Sequence, residues 1–173
     1  MLKELFDKKE FRPDALKLYP CMVMPGTKLF EEYKKGLYEP LSTESAARLI
    51  AEFKRYVPEY CRIMRVQRDI PSYVTEAGVD RTNLRQYVDK ILREKSIRCR
   101  CIRCREPKRM ALNLKKIKIK ALEYEASGGI EIFIAAEEPD KDILAGFCRL
   151  RIPNKPFRRQ FSEDKPYQEI KKY

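Results

Sequence analysis

The chain is organised around one short stretch, Arg98-Cys99-Arg100-Cys101-Ile102-Arg103-Cys104-Arg105, which we call the clasp. The clasp holds three of the six cysteines of the chain in the pattern C-x-C-x2-C, and arginines flank all of them. Three thiols at this spacing can converge on one metal ion, and thiolate is the ligand that zinc and iron–sulfur clusters select. The clasp therefore predicts a metal site held by Cys99, Cys101 and Cys104.

Zinc is the metal that this pattern favours, because the usual iron–sulfur spacings are wider than C-x-C. The neighbouring guanidinium groups are expected to favour thiolates and so metal binding. A closed zinc site takes four protein ligands, and the chain contains no histidine. We expect Cys148 as the fourth ligand, with Cys61, Cys21, a carboxylate or a group from outside the chain as alternatives. The competing interpretation is three free or oxidised cysteines in a basic loop.

Positive charge is concentrated around the clasp. The chain carries a net charge of +12, and residues 96–120 contain ten lysines and arginines against one acid, Glu106. Such a patch commonly neutralises nucleic-acid phosphates. We therefore expect phosphate contacts from six residues: Arg98, Arg100, Arg103, Arg105, Lys108 and Arg109. The alternatives are a solvated basic face, or arginines that pair with acids of a neighbouring domain.

Composition indicates a folded protein without a membrane partner. Of 173 residues, 43% are hydrophobic, which is adequate for a core. The sequence contains no run of eighteen apolar residues and no signal-peptide pattern near Met1, so we expect a soluble, cytoplasmic protein. Six cysteines with three of them clustered fit a reducing compartment better than a disulfide scaffold.

The residues before the clasp have the pattern of an α/β layer. A buried strand is predicted over 16–24, and Thr27 is placed to cap a helix that Gly36 closes. A strong amphipathic helix follows Ser42 or Thr43, and a second strand is predicted over 62–66. Strand, helix and strand in this order predict a right-handed crossover between parallel strands. Function in such layers gathers at the carboxyl ends of the strands, where Arg68 and Asp69 lie, although these two could form a plain ion pair.

A helix precedes the clasp, and the pattern changes beyond it. A helix that Asp80 or Thr82 begins, with apolar residues at helical spacing, is predicted to run to about Lys95. Beyond Pro107 the apolar period becomes two, and the segments 129–136 and 143–152 flank a turn over 137–142. This pattern predicts an antiparallel hairpin, so a second domain is expected to begin near residue 113.

Several short phrases together carry a family resemblance, and they occur in the order Leu16-Lys17-Leu18-Tyr19-Pro20, Gly26-Thr27, Arg65-Val66-Gln67-Arg68-Asp69-Ile70-Pro71, Asn83-Leu84-Arg85, Arg98-Cys99-Arg100, Arg105-Glu106 and Gly146-Phe147-Cys148-Arg149-Leu150-Arg151. With these phrases the chain resembles the catalytic subunit family of the Elongator complex, in its archaeal form. The resemblance extends from about Phe11 to Ile152, and the string at 65–71 is its most specific part.

The resemblance implies a fold class and a division of the chain. Residues 1–80 would be the C-terminal part of a radical S-adenosylmethionine (SAM) partial barrel, of (β/α) type. Residues 81–112 would be a connecting helix and the cysteine-rich zinc connection, to which Cys99, Cys101 and Cys104 correspond. Residues 113–173 would open an acetyltransferase-like (GNAT) domain with antiparallel strands. Lys17, Arg68 and Asp69 would line the mouth of the complete barrel.

The resemblance also implies an activity. Family members bind tRNA and form a carboxymethyl group at C5 of the wobble uridine, using SAM, an iron–sulfur cluster and acetyl-CoA. The sequence departs from the family in two ways: it contains no C-x3-C-x2-C signature for the cluster and no glycine-rich loop that opens a helix for the acetyl-CoA pyrophosphate.

From these departures we expect an internal piece of a longer enzyme. Such a piece would be inactive alone, would not bind the cluster, SAM or acetyl-CoA, and would have the missing N- and C-terminal parts as partners. The alternatives are a stand-alone zinc-dependent RNA-binding adaptor and a pseudogene product that folds poorly.

Overall fold

The structure, a computed structural model, describes residues 2–155. Its α-helices are α1 (Glu4–Asp7), α2 (Lys28–Lys34), α3 (Thr43–Phe53), α4 (Leu84–Glu94) and α5 (Ile102–Arg105). Its strands are β1 (Ala15–Lys17), β2 (Arg62–Arg65), β3 (Lys118–Glu125), β4 (Gly129–Glu138) and β5 (Ile143–Pro153). No helix in residues 2–155 has both the length and the apolar content needed to cross a membrane. The end of the third predicted segment, 156–173, lies outside the described residues.

The first sheet consists of the short strands β1 and β2, which are parallel as predicted. The hydroxyl of Thr27 accepts a hydrogen bond from the Phe30 amide at 3.2 Å and begins α2. Gly36, with a φ of 72°, lies just past the end of that helix. Both ends of α2 therefore follow the residues that the sequence offers for capping.

The predicted strand over 16–24 is wrong in length, because β1 contains only three residues, Ala15–Lys17. Pro20 has no amide hydrogen for a ladder, and the chain leaves the sheet before it. Val23, which is fully buried, forms an isolated antiparallel bridge with Ala77 instead. Apart from Val23, the residues after β1 in this segment are half-buried or exposed, and they do not extend the sheet.

Helix α4 begins without the predicted side-chain cap. Its N-cap residue is Asn83, whose side chain makes no capping bond, and Asp80 accepts a hydrogen bond from the Thr43 hydroxyl at 2.6 Å. The Leu84 amide donates to the side-chain oxygen of Gln67 at 3.2 Å, and the Gln67 amide nitrogen donates to the Arg81 carbonyl at 2.5 Å. A residue just beyond β2 therefore takes the place of a local cap.

The second sheet confirms the predicted hairpin and adds a strand to it. Its order is β3-β4-β5, and both pairings are antiparallel. A single turn of 3₁₀ helix, Pro139–Lys141, connects β4 to β5. Asp142 follows this turn with a left-handed backbone, at φ 52°. The long central strand β4 contributes Phe133 and Ala135 to the core.

One hydrophobic core runs through the whole described chain. Its buried residues come from α3, β2, α4, the clasp and β4–β5, and they include Ile50, Ile63, Leu84, Ile102 and Phe133. The two parts on either side of the clasp thus bury apolar surface against each other. This packing weakens the idea of a poorly folding product, while the boundaries near residues 80 and 112 stay a prediction.

Candidate metal centre and basic clasp

The three clasp cysteines converge around the short helix α5. Their sulfur atoms all lie within 4.8 Å of one another, with Cys99 and Cys101 buried and Cys104 half-buried. Cys101 is the N-cap of α5, and its carbonyl accepts the Cys104 amide at 2.9 Å. The Ile102 amide donates to the Cys61 carbonyl at 3.0 Å, which ties the clasp to the start of β2. This cluster is able to hold a metal ion.

The structure does not bring the predicted fourth ligand to this group. Cys148 is exposed on β5, in register with Ile134, and Cys21 is exposed as well. Cys61 is fully buried, yet its sulfur is not part of the group. Within residues 2–155, the group of mutually close ligand atoms contains the three clasp cysteines and no carboxylate. Cys148 as fourth ligand is therefore not supported.

The side chain of Lys54 occupies the position beside the thiols. Lys54 has no exposed surface, and its Nζ lies 3.4 Å from the Cys104 sulfur. Burial disfavours its ammonium form, but the negative charge that Cys99, Cys104 and Cys101 can carry outweighs this effect and raises the pKa of Lys54. The cation that faces the sulfur atoms is thus a lysine from the end of α3 and not an arginine of the clasp.

Hydrogen bonds among the thiols separate their acidities. Bonds from the Cys104 and Cys99 thiols lower the pKa of Cys101, and the backbone amide of Cys104 adds a further bond to its sulfur. The bond that the Cys99 thiol makes to Cys101 raises the pKa of Cys99. Among the three thiols, Cys101 is therefore the one whose thiolate form the neighbouring hydrogen bonds favour.

The clasp arginines face carboxylates. Asp142 receives Arg98 and Arg105 at 2.9 Å each and Arg100 at 3.4 Å. The Arg105 side chain is only 2% exposed and also pairs with Glu137. Contrary to the prediction, Arg105 is not available to a phosphate, and its charge holds the clasp against the β4–β5 turn.

The remaining predicted phosphate contacts differ in their accessibility. Arg100 also pairs with Glu59 at 2.9 Å, and Arg103 pairs with Glu106 at 3.3 Å. Lys108 and Arg109 are exposed, and no ion pair or hydrogen bond occupies their side chains in the described part of the chain. Of the predicted phosphate contacts, these two therefore have side chains that are free to bind a phosphate within the described part of the chain.

The three barrel-mouth candidates lie at the carboxyl ends of β1 and β2. Lys17 is exposed at the end of β1, in register with Arg65. Asp69 forms an ion pair with Arg65, and the Arg68 guanidinium lies 5.5 Å from the centre of the Tyr19 ring. The plain Arg68–Asp69 ion pair considered as an alternative is not formed.

An open groove of about 590 Å³ is lined by one of these candidates, Asp69. Arg65, Asp69, Arg85 and Arg103 are among the side chains that line it. The carboxyl end of β2, the start of α4 and the clasp therefore meet around one open groove.

Sequence reasoning missed the partners of the clasp. Lys54 follows Ala47 and Ile50 at helical spacing, so a lysine on the apolar stripe of α3 was the available signal. Asp142 lies within the predicted turn, but nothing in its sequence context indicates three arginine partners. Glu59 and Gln67 likewise depend on contacts that are distant along the chain.

The chain is similar to known proteins over most of its described length. Residues 13–94 match the Radical_SAM C-terminal domain family. A tRNA uridine(34) acetyltransferase of Methanocaldococcus jannaschii is 43% identical over 170 residues, which is 95% of this chain and 31% of that protein. The human Elongator complex protein 3 is 40% identical over 152 residues, covering 86% of this chain and 28% of that protein.

A solved structure agrees with these similarities. The archaeal Elp3 of Methanocaldococcus infernus with an N-terminus deletion (1–46) matches with a TM-score of 0.86 and 45% identity, over 92% of this chain and 39% of that one. The expected α/β fold class is confirmed. The chain spans about a third of the length of the curated relatives it matches. It belongs to the family of Elongator complex protein 3 and the tRNA uridine(34) acetyltransferases.

Proposed function

We propose that this chain is the central part of an enzyme that modifies the wobble uridine of tRNA, forming a C5-carboxymethyl group from acetyl-CoA in a SAM-dependent reaction. The similarity to the tRNA uridine(34) acetyltransferases supports the reaction class. One observation carries the role of this chain: the clasp lies between the radical SAM part and the three-stranded sheet, and both pack on it. The sheet is the opening of the acetyltransferase-like (GNAT) domain.

The clasp residues fit a structural zinc ion. Three thiols within 4.8 Å of one another match the donor chemistry and approximate spread of a tetrahedral site, whose Zn–S distances are about 2.3 Å. Cys99, Cys101 and Cys104 would hold the ion, and it would crosslink the start of the clasp to α5. Such an ion contributes folding free energy and no chemistry of the reaction.

The cofactors of the complete reaction do not fit these residues. Holding a radical SAM cluster takes three thiolates that leave one iron for SAM, and the C-x3-C-x2-C spacing is absent from the sequence. Acetyl-CoA binding takes backbone amides at a glycine-rich helix start, which the sequence also lacks. The iron–sulfur cluster, SAM and acetyl-CoA would then be bound by the parts of the enzyme that this sequence does not contain.

The chain alone should accordingly be inactive. After anaerobic reconstitution with iron and sulfide, we expect no cluster absorbance, and with acetyl-CoA we expect no hydrolysis in the presence or absence of tRNA. Either signal in the isolated chain would overturn its assignment as the central part of the enzyme. The missing N- and C-terminal parts, supplied as separate chains, are the partners that would restore turnover.

The RNA surface is proposed to centre on Lys108 and Arg109 and to include the half-exposed Arg103. Phosphate contacts release counterions, so each lost contact should lower the slope of log affinity against log salt by about 1. Changing Lys108 and Arg109 to Ala together should lower that slope by about 2 in a tRNA binding titration. A matched control is Lys28→Ala with Lys35→Ala, at the two ends of α2, which should leave the slope unchanged.

An unchanged slope in the first double variant would rule out this surface.

The stand-alone RNA-binding adaptor has less support than the enzyme part, since Arg98, Arg100 and Arg105 are engaged by carboxylates of the protein itself. A cytoplasmic location agrees with a tRNA substrate and stays a prediction.

A further inference from the structure

Lys54 is an unusual residue for the position it occupies. It directly follows α3, and it continues the apolar stripe of that helix into the core. None of its surface is exposed, and its ammonium nitrogen lies 3.4 Å from the Cys104 sulfur. A buried ammonium is costly unless a negative group pairs with it.

No carboxylate supplies that negative charge. In the described chain, Lys54 forms no salt bridge, and the Cys104 sulfur is the polar atom that its side chain contacts. The acids Glu59 and Glu106 have other partners: Glu59 pairs with Arg100 and Lys120, and Glu106 pairs with Arg62 and Arg103. The sulfur cluster is therefore the counter-charge of Lys54.

A charge count then restricts the metal site. Three thiolates and a divalent ion together carry one negative charge, and the Lys54 ammonium cancels it. A fourth thiolate or a carboxylate ligand would add a negative charge that the Lys54 ammonium alone does not cancel. A neutral fourth ligand keeps the balance, and this agrees with a cluster that contains three cysteines and no acid.

We propose that Lys54 is the built-in counter-ion of the clasp metal, and that it restricts the site to three thiolates plus one neutral oxygen or nitrogen ligand. This inference rests on the proposed zinc site and identifies its charge state. Lys54 is a positioning residue, since it acts on the sulfur ligands and not on a substrate.

The experiment compares zinc binding by the full chain and two variants. Lys54→Met removes the charge and keeps an unbranched, core-compatible side chain, while Lys95→Met removes an exposed lysine that pairs with Glu52. Zinc affinity is measured by competition with a chromophoric chelator at fixed pH. We expect Lys54→Met to bind zinc about 10–100-fold more weakly, the usual effect of losing a residue that supports metal ligands. Lys95→Met should bind like the unaltered chain.

A second measurement does not depend on how the variant folds. X-ray absorption of the zinc-loaded, unaltered chain should show three sulfur neighbours and one oxygen or nitrogen neighbour. Four sulfur neighbours, or an unchanged affinity in Lys54→Met, would overturn the inference while leaving the zinc site in place. Failure of the unaltered chain to bind zinc would refute both the zinc proposal and this inference.

Discussion

At the scale of single residues, the clasp is held by acids that lie far from it in sequence. Asp142 accepts three arginines of the clasp, and it follows the β4–β5 turn with a left-handed backbone. Arg105 is the most buried of the three and has a second acid, Glu137. Because both ends of this contact are fixed by folded elements, the ion pairs carry more free energy than exposed pairs do.

Removing the Asp142 charge should destabilise the chain. Asn tolerates a left-handed backbone, so Asp142→Asn changes the charge with little backbone strain. We expect the free energy of unfolding to fall by about 1.5–3 kcal/mol, the usual range for a hydrogen bond to a charged group. The matched control is Asp140→Asn in the same turn, whose exposed pair with Lys116 should contribute less than about 1 kcal/mol. Urea midpoints with unchanged m-values provide the comparison.

Equal losses in the two variants would show that Asp142 does not anchor the clasp.

The same site marks the limit of sequence reasoning at this scale. The grouping of the three cysteines could be predicted from the sequence because they are close together in the chain, and the structure brings them together. Lys54 and Asp142 could not be predicted as partners of the clasp, since their contacts with it join residues that are 50 and 37–44 positions apart in the chain.

At the scale of elements, local sequence predicts the helices better than the sheets. Helix α3 begins after Ser42, whose hydroxyl accepts the Ser45 amide at 3.1 Å, as its capping pattern indicates. Strand β1 is shorter than its apolar run, because an apolar run in the sequence does not distinguish a strand from a partly buried loop. For α4 the sequence indicates Asp80 or Thr82 as the cap, but the first amide of the helix is satisfied by Gln67, which lies just beyond β2.

The bridge from Gln67 gives a prediction for α4. Gln67→Leu retains the size of the side chain and removes both hydrogen bonds, so we expect a loss of about 1 kcal/mol, similar to removal of an N-cap. Amide hydrogen exchange at Leu84 should become faster, since its donor loses its acceptor. As a control, Gln86→Leu removes only an exposed contact with Asn83 and should leave the Leu84 amide protected. Unchanged exchange at Leu84 in Gln67→Leu would contradict this role.

At the scale of the whole molecule, the clasp lies inside the shared core of its two parts. Tyr60, just before β2, stacks on Tyr124 of β3 with ring centres 4.0 Å apart, and Arg149 of β5 donates to the Tyr60 carbonyl at 2.7 Å. Apolar contacts, ring stacking and ion pairs thus join the same two parts. The order of the elements could be predicted from sequence, but this junction could not, because each of its contacts joins segments that are distant in the chain.

The central claim is that the three clasp thiols form a zinc site that holds these parts together. Elemental analysis of the purified chain tests it most directly, with Cys101→Ser as the test variant and Cys148→Ser as the control for an exposed cysteine outside the group. We predict about one zinc per molecule in the unaltered chain and in Cys148→Ser, and loss of zinc in Cys101→Ser, as a one-site structural ion requires. Metal-free native chain, or equal zinc in all three proteins, would contradict the claim.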